Sequence, residues 1–387
     1  MLSELITARA YATEAGTARF VQRHGAANHA QCYSNVGQMQ LSSLGMGSYL
    51  GPSDDASDAD YSAAVTDAVR RGINVFDTAS NYRCQRSERA IGLALHGLIE
   101  RGEIYRSEVL VASKAGFVAF DGDRPDDPAA YIVARTVGRG LCGPDELQAG
   151  CHCLAPDYIT ATLQQSRANL GLETIDLYFL HNPETQLQQI DQATLLDRLR
   201  RAFMALEAAA DSGWIRVYGL ATWSGLRARP VDRDFVPLEL AVQAAYEVAG
   251  SRHRFKAVQL PLSLSMPEGY LHRNQHCGQV TLGAIEAAQR LGLAVFGSAA
   301  LHQGRLAKHR LGHVPPLPPG HHDHDPLEPA LAALQFARSV PGVTSALVGM
   351  RQLGHVADNA RCLRLPRAPL AWVDAAARVG SAGCVGV

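Results

Sequence analysis

The sequence is short of lysine. Of its 36 basic residues only Lys114, Lys256 and Lys308 are lysines, and the others are arginines. Against 37 acidic residues they leave a formal net charge of −1. That excludes a broad electrostatic footprint for nucleic acid or for an anionic membrane. No apolar run approaches the about 18 residues that a membrane-crossing helix needs. The first residues, MLSELITARAYATEAG, lack a signal-peptide pattern, so a cytoplasmic location is expected. Eight cysteines scattered through 387 residues do not form the framework of a small secreted domain, and they are read as thiols. The GxGxxG fingerprint of a dinucleotide-binding sheet is missing too: LGMGSYLG (44–51) has glycines without that spacing or a clean following helix.

What the chain does have is alternation. Apolar runs suited to strands fall at 41–49, 73–79, 108–116, 174–181, 215–223, 257–264, 293–300 and 344–350. Helix-period segments lie between them, such as SERAIGLALHGLIERG and PDYITATLQQSRANLGL, several followed by the glycine expected just past a helix end. Eight strands each followed by a helix predict an α/β fold, a (β/α)₈ TIM barrel, over residues 41–387. Residues 1–40 read as a polar extension whose hairpin would cap the barrel floor. Residues 117–155 and the Pro/His-rich 305–328 read as long loops after the third and seventh strands. Loops in those places surround the mouth where barrel sites lie, so both are candidate substrate lids.

The strand ends carry the chemistry. The second strand stops at Asp77, with Tyr82 in the turn beyond it; the third ends VASK at Lys114; the fourth ends LYFLH at His181. On neighbouring barrel strands these four converge. A free phenol has a pKa of about 10, too high for easy donation near neutrality. A lysine cation beside it would favour phenolate and lower that pKa, while an aspartate would keep the lysine charged and oriented. Histidine could hydrogen-bond the same oxygen that the phenol protonates, stabilising a developing alkoxide. Such a group suits reduction of a ketone or aldehyde, with a nicotinamide supplying the hydride.

FDTASNY, VASK and DLYFLHNP together resemble the motifs of the aldo-keto reductases, and the resemblance runs from about residue 41 to residue 363. It implies Asp77, Tyr82, Lys114 and His181 as catalytic residues, with Tyr82 as general acid, in an NADPH-dependent barrel without a Rossmann domain. For the cofactor it implies Gly47 and Ser48 after the first strand, Asp77, and Gln259 on the sixth. Ala221-Thr222 stands where the family often has Ser-Asn, leaving Thr222 as the polar group. Phe296, Gly297 and Ser298 stand where an aromatic usually stacks on nicotinamide. Gly349 and Met350 are expected to offer backbone N–H groups to phosphate, with Asp358 and Asn359 near the adenine. Arg351, His355 or Arg305 would take a 2′-phosphate. The lysine common there in the family is absent, so NADH stays as the alternative to NADPH.

Two clusters look metal-like. Cys151, His152 and Cys153 with Cys142 lack paired CxxC spacing, and adjacent residues in a strand would point to opposite faces, so no metal is expected. The histidines within 321–324 read as a solvated polar loop. Arg83, Arg86 and Arg89 in YRCQRSER would recognise an anionic substrate group or solvate the loop; solvation is favoured. The expected partner is a small-molecule carbonyl compound, larger than a simple aldehyde given the long loops: a keto-sugar or specialised metabolite. Two rivals remain: a cofactor-binding regulator resembling potassium-channel β subunits, and Schiff-base chemistry at Lys114.

Overall fold

In the computed structural model, which describes residues 11–308, 314–317, 320 and 328–383, all eight apolar runs become strands. They are β1 Leu44–Gly47, β2 Val75–Asp77, β3 Leu110–Ala115 and β4 Ile175–His181. β5 Ile215–Ala221, β6 Phe255–Pro261, β7 Ala294–Ser298 and β8 Val343–Gly349 follow. Each pairs in parallel with its sequence neighbours and β8 closes on β1, which gives the predicted barrel. The helices after the strands are α1 Asp55–Arg70, α2 Arg86–Glu100, α3 Pro156–Leu170 and α4 Gln192–Asp211. They continue with α5 Leu238–Ala249, α6 Ala284–Arg290, α7 Pro329–Ser339 and α8 Leu353–Ala360.

Local chemistry sets the helix ends. The Asp54 side chain accepts the Ser57 N–H at 2.8 Å, starting α1, and Asp191 does the same for Thr194 at the start of α4. α3 begins on Pro156 and stops at Gly171, whose φ of 63° suits glycine. Strand alternation then divides the core in two. Val75, Leu177, Phe179 and Leu347 fill the barrel interior, while Phe76, Tyr178 and Val348 on the same strands face the helices. Phe203 of α4 packs at 5.1 Å from Tyr218 and 5.4 Å from Phe255 in that outer layer.

The floor is sealed from the N-terminal side. A hairpin, Tyr33–Val36 with Met39–Ser42, turns at Gly37 and sends the fully buried Leu41 into the interior cluster. Asn74 anchors it by accepting the Ser42 N–H at 2.8 Å and donating to the Gln40 carbonyl at 2.9 Å. Ser34 Oγ donates to the Thr344 carbonyl at 2.5 Å, tying the hairpin to β8. Close by, the buried Arg338 has no carboxylate partner among the described residues. It donates instead to Gln335, Ser43 and the Leu365 and Pro366 carbonyls, at the end of α7 where the helix dipole favours a cation.

The 117–155 segment is ordered, with a helix at Pro128–Arg135 and a small antiparallel pair, Leu147–Gln148 with His152–Cys153. The 321–324 histidines lie outside the described residues. Among the described residues no helix is long and apolar enough to cross a membrane.

Candidate active site

The parallel register brings the predicted strand ends together. Lys114 Nζ donates to both carboxylate oxygens of Asp77, at 2.8 and 2.7 Å, and to the Thr78 carbonyl at 2.8 Å. It stands 3.4 Å from the Tyr82 hydroxyl and 4.8 Å from the centre of that ring. Gln259 Nε2 adds a third donor to Asp77 at 3.1 Å, from the far side of the barrel. The turn that carries Tyr82 keeps pairing with β3: Thr78 N–H donates to the Ala112 carbonyl and Ser80 N–H to that of Lys114. The Tyr82 and His181 rings meet edge-on, 5.7 Å apart.

Burial governs the titration of all four groups. It pushes the Asp77 carboxyl up and the Lys114 ammonium down, each opposed by attraction to the other. It also lifts the Tyr82 phenol well above its ordinary value, helped by the negative charge of Asp77. This reverses the fall expected from Lys114. The lysine charge is taken up by its two bonds to Asp77, so little of its field is left to stabilise phenolate. Tyr82 therefore rests as a protonated acid. The His181 imidazole is driven well below 6.5 by burial, then by Lys114 and His152, so it is neutral.

His181 is braced from behind. His152 Nε2 bonds the His181 backbone carbonyl at 2.7 Å, and Gln186 Nε2 bonds His152 Nδ1 at 2.8 Å. Burial holds the His152 pKa down to about 4. Between them passes Gly116 at φ +150°, where an added Cβ would lie 2.6 Å from the His181 oxygen and 2.8 Å from His152 Nε2. Gly116→Ala should thus cost about 1–3 kcal/mol of stability by overpacking. Urea unfolding checks this; an unshifted midpoint would show that the neighbours yield freely.

The arginine-rich turn has a structural use. Arg83, Cys84 and Gln85 all have positive φ, at 48°, 55° and 69°. Arg83 is buried and donates to the Pro52 carbonyl at 2.7 Å and to Asp58 at 2.6 Å, while Arg86 grips Asp58 and Asp55. Neither anion recognition nor plain solvation describes them: Arg83 and Arg86 staple this turn to the start of α1. Arg89 is the more exposed, bonding Asp121 at 2.7 Å.

A cavity of about 910 Å³ opens beside Tyr82 and His181 and extends to α8. Near the four-residue group it is lined by Gly47, Ser48, Asp77, Thr222, Gln259 and Ser298. At the far end it is lined by Gly349, Arg351, His355, Asp358 and Asn359. Four of the residues expected to hold the cofactor do not line it. Phe296 points into the barrel interior against Phe179, 6.2 Å away, and Gly297 faces Leu262. Met350 is packed in the layer between sheet and helices, and Arg305 opens a short helix beyond the loop. Three aromatics that sequence reasoning passed over line the mouth: Tyr49, Phe117 and Trp223. Their signal was position, one each just after β1, β3 and β5. Tyr49 and Trp223 stay 55% and 44% exposed, which no packing need explains.

Among the described residues Thr222 Oγ1 is buried without a hydrogen-bond partner, an orphaned polar atom beside the cavity. Arg351 donates to Ser57 Oγ at 2.7 Å, with Asp60 3.5 Å away. Among the described residues no three His, Cys, Asp or Glu side chains gather as a metal site, and His152 has both ring nitrogens bonded within the protein.

The chain matches the profile of the Aldo/keto reductase family over residues 42–262. It is 26% identical over 331 residues to a D-threo-aldose 1-dehydrogenase of a Pseudomonas species, covering 83% of this chain and 88% of that protein. In fold it is similar to a holo-form aldo-keto reductase of Bacillus halodurans, with a TM-score of 0.58 and 19% identity over 90% of this chain and 96% of that one. An aldo/keto reductase of Klebsiella pneumoniae in complex with NADP and acetate gives a TM-score of 0.57 and 18% identity, over 89% and 94%.

Proposed function

The chain belongs to the aldo/keto reductase family, an oxidoreductase family, and from that premise we propose that it interconverts a sugar-like carbonyl and its alcohol with Tyr82 as the acid–base group. The observation that carries the proposal is Tyr82 itself, its hydroxyl 3.4 Å from a buried lysine–aspartate pair at one end of a long cavity.

The residues fit a nicotinamide dinucleotide. Thr222, with its orphaned hydroxyl, and Gln259 would hold the nicotinamide end. Gly349 and the start of α8 would meet the phosphates with backbone N–H groups. Arg351 and His355 favour a 2′-phosphate, hence NADPH over NADH. The nicotinamide supplies or accepts the hydride. Tyr82 gives its hydroxyl proton to the substrate oxygen in reduction and takes it back in oxidation. Lys114, held by Asp77, fixes the phenol through its 3.4 Å contact with the hydroxyl. Neutral His181 offers a hydrogen bond to the same oxygen. Tyr49, Phe117 and Trp223 surround that end with aromatic faces. The aldose dehydrogenase relative supports a sugar-like substrate, as a keto-sugar or an aldose.

The test is stopped-flow mixing with NADPH or NADP⁺ and a panel of aldoses, keto-sugars and simple aldehydes, read by nicotinamide absorbance. Turnover of a sugar is expected. Tight cofactor retention with no turnover across the panel would sink the proposal. Thr222→Val should weaken cofactor binding by about 3- to 10-fold through one lost hydrogen bond. Unchanged affinity in a titration would remove Thr222 from the cofactor site.

A further inference from the structure

We propose that His152, carried by the 117–155 segment, is a positioning residue for His181, so that this segment belongs to the catalytic apparatus and is more than a lid. The proposal rests on the acid–base reading of the site above, and goes beyond it by assigning a role to a residue that touches neither cofactor nor substrate.

Three buried side chains, Arg198, Gln186 and His152, form a chain of one-way hydrogen bonds that ends on the His181 carbonyl. Arg198 Nη1 of α4 donates to Gln186 Oε1 at 2.5 Å. Gln186 Nε2 donates to His152 Nδ1 at 2.8 Å and to the His152 carbonyl at 3.2 Å. Because an amide N–H can only donate, Nδ1 must be the acceptor, which leaves the proton on Nε2. That N–H points at the His181 carbonyl, 2.7 Å away. Donors aligned in this sense reinforce one another in a water-poor interior. The terminus of the chain is the backbone of the residue whose ring faces the reacting oxygen.

The surroundings leave His181 little freedom except through this contact. Asn182, the next residue, has φ 45°, and its N–H donates to the Ala221 carbonyl at 2.6 Å. Phe117 stands edge-on to both histidines, 5.0 Å from His152 and 5.3 Å from His181. Its carbonyl accepts the Tyr158 hydroxyl at 2.9 Å, so the ring that lines the cavity is set by the same assembly. A buried histidine locked in one tautomer and aimed at one carbonyl is a costly way to fill space, since Leu would pack there without needing partners.

The experiment uses three variants of the full chain. His152→Ala removes the donor. His152→Gln keeps it, since a glutamine amide can give an N–H to the His181 carbonyl and accept from Gln186 through its own oxygen. Gln186→Met frees the tautomer while leaving His152 in place, and serves if His152→Ala does not fold. For His152→Ala, kcat should fall by about 10- to 100-fold through misplacement of the reacting geometry. Cofactor affinity should hold, and the deuterium isotope effect on hydride transfer should rise. His152→Gln should recover most of the rate. In spectra of isotope-labelled histidine the His181 ring signals should move in His152→Ala and return in His152→Gln. Unmoved His181 signals, or a kcat unchanged while only thermal stability drops, would overturn the positioning role. These spectra need no turnover. A wild-type protein inactive on every substrate would count against the enzymatic reading alone.

Discussion

Tyr82→Phe should slow hydride transfer by about 10²–10⁴-fold, the usual worth of a positioned acid–base group. The substitution deletes one oxygen and little else. The phenyl ring would keep its edge contacts to Tyr49 at 5.0 Å and His181 at 5.7 Å, and its place beside the Lys114 ammonium. Neither neighbour can take over the proton. Asp77 is almost fully buried and accepts from Lys114 and Gln259, and the Lys114 ammonium is turned onto Asp77 and the Thr78 carbonyl. Single-turnover mixing with pre-bound cofactor measures the step directly, and an equilibrium titration shows whether cofactor affinity is retained. A near-wild-type rate on the true substrate would mean that another group holds the proton.

Lys114→Met should destabilise the fold by about 3–5 kcal/mol, because it leaves a buried carboxyl without its cation. Lys114 and Asp77 have side chains only 1% and 7% exposed, so water cannot replace the lost partner. Asp77→Asn added to Lys114→Met should return much of the loss, since no uncompensated charge then remains. The sign of the pH dependence follows from the rise that burial already imposes on Asp77. A carboxyl with a folded pKa above its unfolded one favours the folded state fully below the unfolded pKa. That benefit disappears as the pH climbs through the folded pKa. The single variant should thus be most stable in acid and weaken towards neutrality, with the double variant flatter. Urea unfolding at several pH values reads both. Equal stabilities for single and double variants would show that the pair contributes as packing alone.

How far the sequence disclosed these sites depends on the range of the interaction. The barrel was legible because each strand is a short apolar run bounded by turn residues, and the eightfold alternation admits few other folds. Asp77, Lys114 and His181 were legible because each ends such a run, and parallel pairing brings the ends of neighbouring strands together. Phe296 was less so: whether a side chain in a strand faces the interior or the outer layer depends on register, and a shift of one residue exchanges the two. Arg83 was read as a solvating charge. Its partners, the Pro52 carbonyl and Asp58, lie 31 and 25 positions away, and no local pattern links them to it. His152 was hidden for a related reason. Flanked by Cys151 and Cys153 it resembles a ligand cluster, and only folding shows that its ring nitrogens are committed to Gln186 and His181. Tyr49 and Trp223 were legible in principle, as aromatics at strand exits, although their exposure was not.

The sealed floor also bears on how the chain acquires its shape during synthesis. Ser34 reaches Thr344 across 310 positions, and Arg367 bonds both Ser34 and the Gln31 carbonyl from still further along. A ribosome must therefore have released residue 367 before the hairpin can complete its contacts. Until then the hairpin that carries Leu41 cannot be fixed over the lower interior, and pairing over such separations is intrinsically slow. A chain whose floor closes only at its C-terminal end exposes apolar surface until then, the condition in which capture by chaperones matters most.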